Sequence, residues 1–230
     1  MTHVPVPDLP AADPVAESRL RDALDALGMS SDQVHVPRLL AYLHHLQHWN
    51  KAYNLTAIRD PEHMLVQHVF DSLAVLPTLR QLAEMRDACA FKIADVGSGA
   101  GLPGIIIAVC EPHWSVTCVD TVGKKTAFMR QAAGLLGLSN VQVAQGRIEA
   151  MASVQADVVI SRAFASLVDF VRLAAHHCRP DGVMLAMKGQ NPQSERADLE
   201  QHTDWHVGQI TELKVPELDA QRCLVHLVPN

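Results

Sequence analysis

No run of apolar residues in this 230-residue chain approaches the ~18 that cross a bilayer. The longest, Ile105 to Cys110, is short enough to be one buried helix segment. With 48% hydrophobic residues, the chain is expected to form a soluble globular protein with one substantial core and no membrane partner. A secretory signal is missing too, since the start has neither a basic cluster nor an apolar centre. Instead Pro5, Pro7, Pro10 and Pro14 mark residues 1–14 as a flexible leader.

Metal-type cysteine spacing is equally absent. Cys89, Cys110, Cys118, Cys178 and Cys223 are scattered with no CxxC pair, which points to reduced, buried thiols in a cytoplasmic protein. His44, His45 and His48, and likewise His176 and His177, have no thiolate or carboxylate at ligand spacing. They read as surface or packing residues, and no metal is expected. Nor is there a basic surplus, because the formal net charge is −6. That argues against a general, strongly salt-dependent RNA binder. The charge is uneven, however. Residues 1–33 carry 2 basic and 6 acidic side chains and residues 190–230 carry 3 and 7, leaving 14 basic against 12 acidic in 34–189. A local patch on the central part can still meet phosphate.

What is present begins with helical spacing. Leu20, Leu24 and Leu27 share a face between Val15 and Leu27, with Gly28 as a stop. Leu39, Leu43, Leu46, Trp49 and Tyr53 repeat between Pro37 and Tyr53. A third helix is predicted from Pro61 to about Leu82, capped by Asp60 and interrupted at Pro77. The pattern then changes to strand-like runs at Phe91–Val96, Ser115–Asp120, Val141–Gln145, Asp157–Ile160 and Gly182–Met187. Helical stretches at Leu102–Cys110, Lys124–Leu136 and Leu167–Cys178, and a short piece near Ile148, lie between them. That cadence predicts an α/β fold with a parallel sheet, residues 89–230, behind a small helical N-terminal part, residues 15–88. Trp205–Leu213 and Cys223–Val228 follow with no helix between them and are expected to close the sheet edge as an antiparallel hairpin.

The stretch ADVGSGAGLPG, Ala94 to Gly104, sits between the first strand and the next helix. Such a turn lets a ligand approach the backbone, and it is compatible with a dinucleotide or with S-adenosylmethionine. Asp120, at the end of the second strand, can accept ribose hydroxyls of either cofactor. Asp95 separates them. A carboxylate beside the turn repels a pyrophosphate, whereas it favours the ammonium and sulfonium of S-adenosylmethionine. Glu149, after Ile148, adds a third acid at a strand end, placed to accept an adenine amino group while Ile148 packs on the ring. The segment VVISRAFAS from Val158 lacks the Asn/Asp-Pro-Pro-aromatic turn of exocyclic amine methylation and the nucleophilic cysteine of cytosine-carbon methylation. It offers Arg162, read as a positioner of cofactor or acceptor in preference to a structural ion-pair partner.

Several longer segments carry a resemblance: WNKAYNLTAIRDPEHMLVQHVFDSL from Trp49, DVGSGAGLPG from Asp95, VDTVGKK from Val119, ISRAFASL from Ile160, MKGQ from Met187 and VPELD from Val215. In this order they resemble the bacterial 16S rRNA guanine-N7 methyltransferase family, RsmG or GidB. The resemblance implies a Rossmann-like class I S-adenosylmethionine-dependent methyltransferase acting on the ring N7 of a guanine in the 530 loop of 16S rRNA, naked or in the 30S particle. It carries the cofactor contacts onto Gly97, Leu102, Ile148, Glu149 and Arg162, beside Asp95, Gly99 and Asp120 from the residue reading. Lys124, Lys125, Arg162 and Lys188, with Arg130, are the expected RNA-facing cations. No general base is expected, because N7 already presents a lone pair, and a monomer is expected for want of an apolar seam. An NAD-dependent oxidoreductase, a methyltransferase on another RNA and a non-catalytic ribosome-assembly module are the rival readings.

Overall fold

The structure is a computed structural model that describes residues 13–31, 34–86, 90–162, 164, 166–190 and 192–230. Most of the expected leader, and Cys89, therefore lie outside the described residues. Helix α1 (Pro14–Ala26) starts where Asp13 accepts a bond from the Val15 amide at 3.0 Å, with Pro14 in the first turn. Helix α2 (Val36–Tyr53) ends on Asn54, whose left-handed φ of 47° turns the chain sharply. Asp60 caps α3 (Pro61–Met64), which runs on through a π-helical segment, Leu65–Phe70, into α4 (Asp71–Leu73). Helix α5 (Leu76–Met85) follows with Pro77 in its first turn, the interruption expected there. The wider π-helical turn was not legible, because its residues keep an ordinary helical apolar pattern. Such segments are frequent at functional sites.

Strand β1 (Lys92–Val96) and helix α6 (Gly104–Cys110) come next, then β2 (Ser115–Asp120), α7 (Gly123–Leu135) and β3 (Val141–Gln145). A single 3-10 turn at Ile148–Ala150 leads to β4 (Ala156–Ser161), α8 (Leu167–Ala174) and β5 (Cys178–Lys188). Helix α9 (Gln193–His202) and strands β6 (Trp205–Glu212) and β7 (Cys223–Pro229) complete the chain. The sheet order is β3-β2-β1-β4-β5-β7-β6, parallel except for β7, which runs antiparallel to both β5 and β6. The parallel sheet and the closing hairpin are thus as expected. Helix α9 was not anticipated. Its sequence is almost wholly polar and buries only Leu199, so no apolar repeat announces it.

Side-chain alternation divides the core into two layers. Ile93, Val116, Val158, Ile160 and Leu185 face one side together with α2, α6 and α7. Ala94, Val119, Val159 and Met184 face the other with α8. The N-terminal helices belong to the first layer, where Leu39, Tyr42 and Leu46 of α2 join one cluster with Ile105 and Phe128. The helical part is therefore fused to one face of the sheet. Strand order reverses between β1 and β4, and a crevice opens at their carboxyl ends, the usual ligand position in such sheets.

Candidate active site

The loop after β1 is fastened from below. The amides of Gly97 and Ser98 donate to the Val119 carbonyl at 2.9 and 3.0 Å. Ser98 Oγ donates to the Asp95 carbonyl at 2.7 Å and accepts from the Val119 amide at 3.1 Å. Asp120 accepts from Gly99 N and Val122 N, both at 2.9 Å, so one carboxylate orients the turn and the entry to α7. Two glycines have no room for a side chain. A Cβ on Gly101, at φ +80°, would lie 2.4 Å from Ile105 Cγ1, and one on Gly104 would lie 2.6 Å from Cys118 Sγ and 2.7 Å from Asp95 Oδ2.

Asp95 sits beneath this loop, fully buried. Its Oδ2 accepts from the Gly104 amide at 2.9 Å, while its Oδ1 has no hydrogen-bond partner. Burial pushes its carboxyl up to about 6, opposed by the bond from the Gly104 amide. The expected place beside the cleft is thus one layer too shallow.

Facing the loop is a cleft of about 160 Å³, bounded by Gly97, Gly99 and Leu102 on one side and by Thr56, His68 and Arg162 on the other. The second side is a polar network hung on the π-helical segment. Asn50 Oδ1 accepts from Thr56 N at 2.9 Å, and Asn50 Nδ2 donates to the Ile58 carbonyl at 3.1 Å. The Thr56 hydroxyl lies 2.9 Å from His68 Nε2, and His68 Nδ1 lies 3.1 Å from the Gln67 carbonyl. Burial, then Arg162, lower the His68 pKa to about 4, so the ring is neutral, donating from Nδ1 and accepting at Nε2. Arg162 Nη1 donates to the Gln67 carbonyl and to Asp71 Oδ2, each at 3.1 Å. Asp71, 2% exposed, takes a second arginine on its other oxygen, from Arg222 Nε at 3.0 Å. Arg162 therefore borders the cleft and is also an ion-pair partner, the role given less weight in the sequence. Tyr42 was missed because it reads as one more core residue of α2. Its buried hydroxyl donates to the Ala100 carbonyl at 2.6 Å and ties that helix to the glycine loop.

A family model described as GidB, rRNA small subunit methyltransferase G, matches residues 35–225. The chain is 53% identical to the ribosomal RNA small subunit methyltransferase G of Bordetella pertussis over 221 residues, 96% of this chain and 95% of that protein. The chain belongs to the rRNA small subunit methyltransferase G family. Its enzyme class is accordingly that of S-adenosylmethionine-dependent methyltransferases. Two solved structures share the fold. One is a SAM-dependent methyltransferase from Aquifex aeolicus, with TM-score 0.54 and 15% identity over 76% of this chain and 97% of that one. The other is a SAM-dependent methyltransferase from Geobacter sulfurreducens in complex with S-adenosyl-L-homocysteine, with TM-score 0.52 and 14% identity over 81% and 98%. The Rossmann-like class I architecture is therefore the observed fold class.

For a GidB-family chain the arrangement suits its cofactor. The loop wall exposes backbone at Gly97 and Gly99, a buried carboxylate with an unpartnered oxygen lies under it, and a second carboxylate holds the Gly99 amide. That charge favours a sulfonium and an ammonium and disfavours a pyrophosphate. The remaining expected residues scatter around the cleft. Ile148 is buried beyond β3, 6% exposed, and Glu149 pairs with Arg147 Nε at 2.6 Å. The backbone N–H of Glu149 and then Arg147 hold its carboxyl below the usual range. Among the expected cations, Lys124 donates to the Tyr53 carbonyl at 2.7 Å and Lys125 lies 3.7 Å from Asp120 Oδ2. Arg130 reaches the Val143 carbonyl at 3.4 Å. Lys188 is turned inward, 13% exposed, with Nζ 3.1 and 3.2 Å from the Glu195 oxygens. Among the described residues no helix is long and apolar enough to cross a membrane, and no three His, Cys, Asp or Glu side chains gather as a metal site.

Proposed function

We propose that this chain, a monomer working in the cytoplasm, transfers a methyl group from S-adenosylmethionine to N7 of a guanine in the 530 loop of 16S rRNA, in naked RNA or in the 30S particle. What supports this reading is the family match over residues 35–225, together with the Arg162 guanidinium at the rim of the cleft. Among the described residues bounding the cleft, His68 is the one neutral titratable side chain, and both of its nitrogens are engaged. Guanine N7 presents its lone pair without losing a proton, so it needs no such group, whereas an exocyclic amine or a hydroxyl does.

The bound cofactor supplies an activated methyl on a sulfonium. This chain's residues do the rest by placement. Gly97 and Gly99 admit it against bare backbone. Asp120, fixed by the loop amides, lies where ribose hydroxyls would compete for the same carboxylate, and Ile148 and Glu149 form the adenine end. Arg162, steadied by Asp71 and the Gln67 carbonyl, presents its guanidinium at the cleft rim, suited to guanine O6 or to a phosphate while N7 stays free. Lys124 and Lys125 face the RNA backbone. Lys188 acts through the loop it holds, by bonds to the Phe164 carbonyl and to Glu195, which in turn accepts from Leu167 N. Because side chains cannot reach N7 in the deep major groove of an RNA duplex, the target guanine is unpaired or splayed out.

Labelled S-adenosylmethionine offered to unmodified 16S RNA and to 30S particles tests this directly. The expected result is label that maps, by chemical cleavage at 7-methylguanine, to one guanine of the 530 loop. Label on another base or atom, or none in either substrate, overturns the assignment.

A further inference from the structure

We propose that Tyr53, exposed at the end of α2 with Lys124 bonded to its carbonyl, is a stacking platform for an unpaired nucleotide of the RNA next to the methylated base. This rests on the RNA-directed function proposed above and names a part of the substrate site outside the cofactor cleft.

Tyr53 is out of place as a structural residue. The chain has two tyrosines, and the other, Tyr42, is fully buried with its hydroxyl bonded. Tyr53 is 50% exposed, the one aromatic ring among the large apolar side chains that stand in solvent within the described residues. Its setting is rigid. Trp49, one turn earlier on α2, backs the ring with centroids 4.8 Å apart and planes at 36°. Trp49 is itself held by a 2.7 Å bond from Nε1 to Gln131 on α7 and by edge contact with Phe128 at 5.6 Å. A ring steadied by a neighbouring aromatic and half open to solvent offers a surface on which a base can stack.

The surroundings are cationic. Lys124 Nζ donates to the carbonyl of Tyr53 itself, and Arg59 Nη2 donates to Asn54 Oδ1 at 3.2 Å. Lys51, Asn54 and Arg59 share a surface pocket of about 490 Å³ whose described lining holds no carboxylate. Among the described residues none of Lys51, Arg59 and Lys124 is in an ion pair. The neighbouring acids are occupied, Asp60 by the cap of α3 and Asp120 by the loop amides and Lys125. Asn54 then turns the chain so that Leu55 and Thr56 line the cleft wall. Two peptide units therefore separate the platform from the cleft, roughly 7 Å at full extension. Cations flanking an exposed ring are the means by which unpaired strands are held, and a splayed-out target leaves its neighbour unpaired as well.

The test uses the full chain, Tyr53→Leu and Tyr53→Phe, and a Lys51→Gln/Arg59→Gln double variant. Transfer to unmodified 30S particles and 16S RNA is measured beside equilibrium binding of a fluorescent single-stranded RNA carrying the loop sequence. Tyr53→Leu keeps apolar bulk over Trp49 but loses the stacking face. It is expected to weaken RNA binding and raise the RNA KM about tenfold, with cofactor affinity by calorimetry and melting temperature held. Tyr53→Phe, which keeps the ring, recovers the RNA affinity. The double variant is expected to lower the slope of log affinity against log salt by about 2. An RNA KM for Tyr53→Leu equal to wild type overturns the platform. So does a loss confined to 30S particles with naked RNA unaffected, which assigns the surface to a ribosomal protein. A wild-type chain that binds the RNA with this Tyr53 dependence but transfers no methyl overturns the reaction and leaves the platform standing.

Discussion

One wall of the cleft, Gly97 to Ala100, is a glycine-turned loop, while the opposite wall, Thr56, His68 and Arg162, presents polar side chains. The first is held by bonds between near neighbours in sequence, 9 residues for Gly104 to Asp95 and 21 for Gly99 to Asp120. The second converges from far apart, 91 residues for Arg162 to Asp71 and 151 for Arg222 to Asp71. The short-range wall suits a cofactor that every reaction shares. The long-range wall carries the side chains that the proposed acceptor would meet.

Breaking the long-range wall has the largest expected effect on stability. Asp71→Ala leaves two arginines without their common carboxylate, and the loss of one side of a buried ion pair costs about 3 kcal/mol in urea unfolding. Gly101→Ala strikes the other wall. Strain at a left-handed position and the clash with Ile105 cost about 2 kcal/mol, and calorimetry is expected to show S-adenosylmethionine affinity reduced about tenfold or more. If Asp71→Ala loses more cofactor affinity than Gly101→Ala, the roles of the walls are reversed.

Titration sharpens the comparison, because the two walls respond to pH in opposite senses. His68, lowered from 6.5 to about 4, stabilises the fold fully above pH 6.5, and that stability drains away as pH falls through about 4, an effect on the order of 2 kcal/mol. Asp95, raised from 3.8 to about 6, gives stability that is present below pH 3.8 and lost as pH rises through about 6. In His68→Asn the loss due to His68 is gone while the lowered His35, His45, His177 and His226 still titrate, so stability should fall less steeply than in wild type as pH drops from 6 to 4. Urea melts across that range check it, and an unchanged slope removes His68 as the source. The smallest effect belongs to the bond that joins the walls. Tyr42→Phe leaves the Ala100 carbonyl without its donor and should cost about 1 kcal/mol, read as a lowered melting temperature.

The glycine loop, the strands and the closing hairpin were legible because their signals are local: apolar runs of strand length, turn glycines, and a carboxylate at a strand end. Helix α9 was not, since a helix that buries one leucine writes no period. Asp95 was placed at the cleft because position along a strand says where a side chain starts, and only packing says that it points under the loop. Arg162 was found as a residue of the site but given the smaller part of its role, because nothing local in the sequence pairs it with Asp71, 91 positions away.

Residue order alone determined the α/β alternation, the Gly97–Gly104 turn, the acid at the end of β2 and the family, since each depends on neighbours within a few tens of positions. Tertiary structure alone decided that Asp95 is buried with an unpartnered oxygen, that Asp71 bridges Arg162 and Arg222, that Lys188 turns inward and that Tyr53 stands open to solvent with Lys124 on its carbonyl. Those outcomes depend on which distant surfaces exclude water from a group, and burial of that kind is a property of the folded volume.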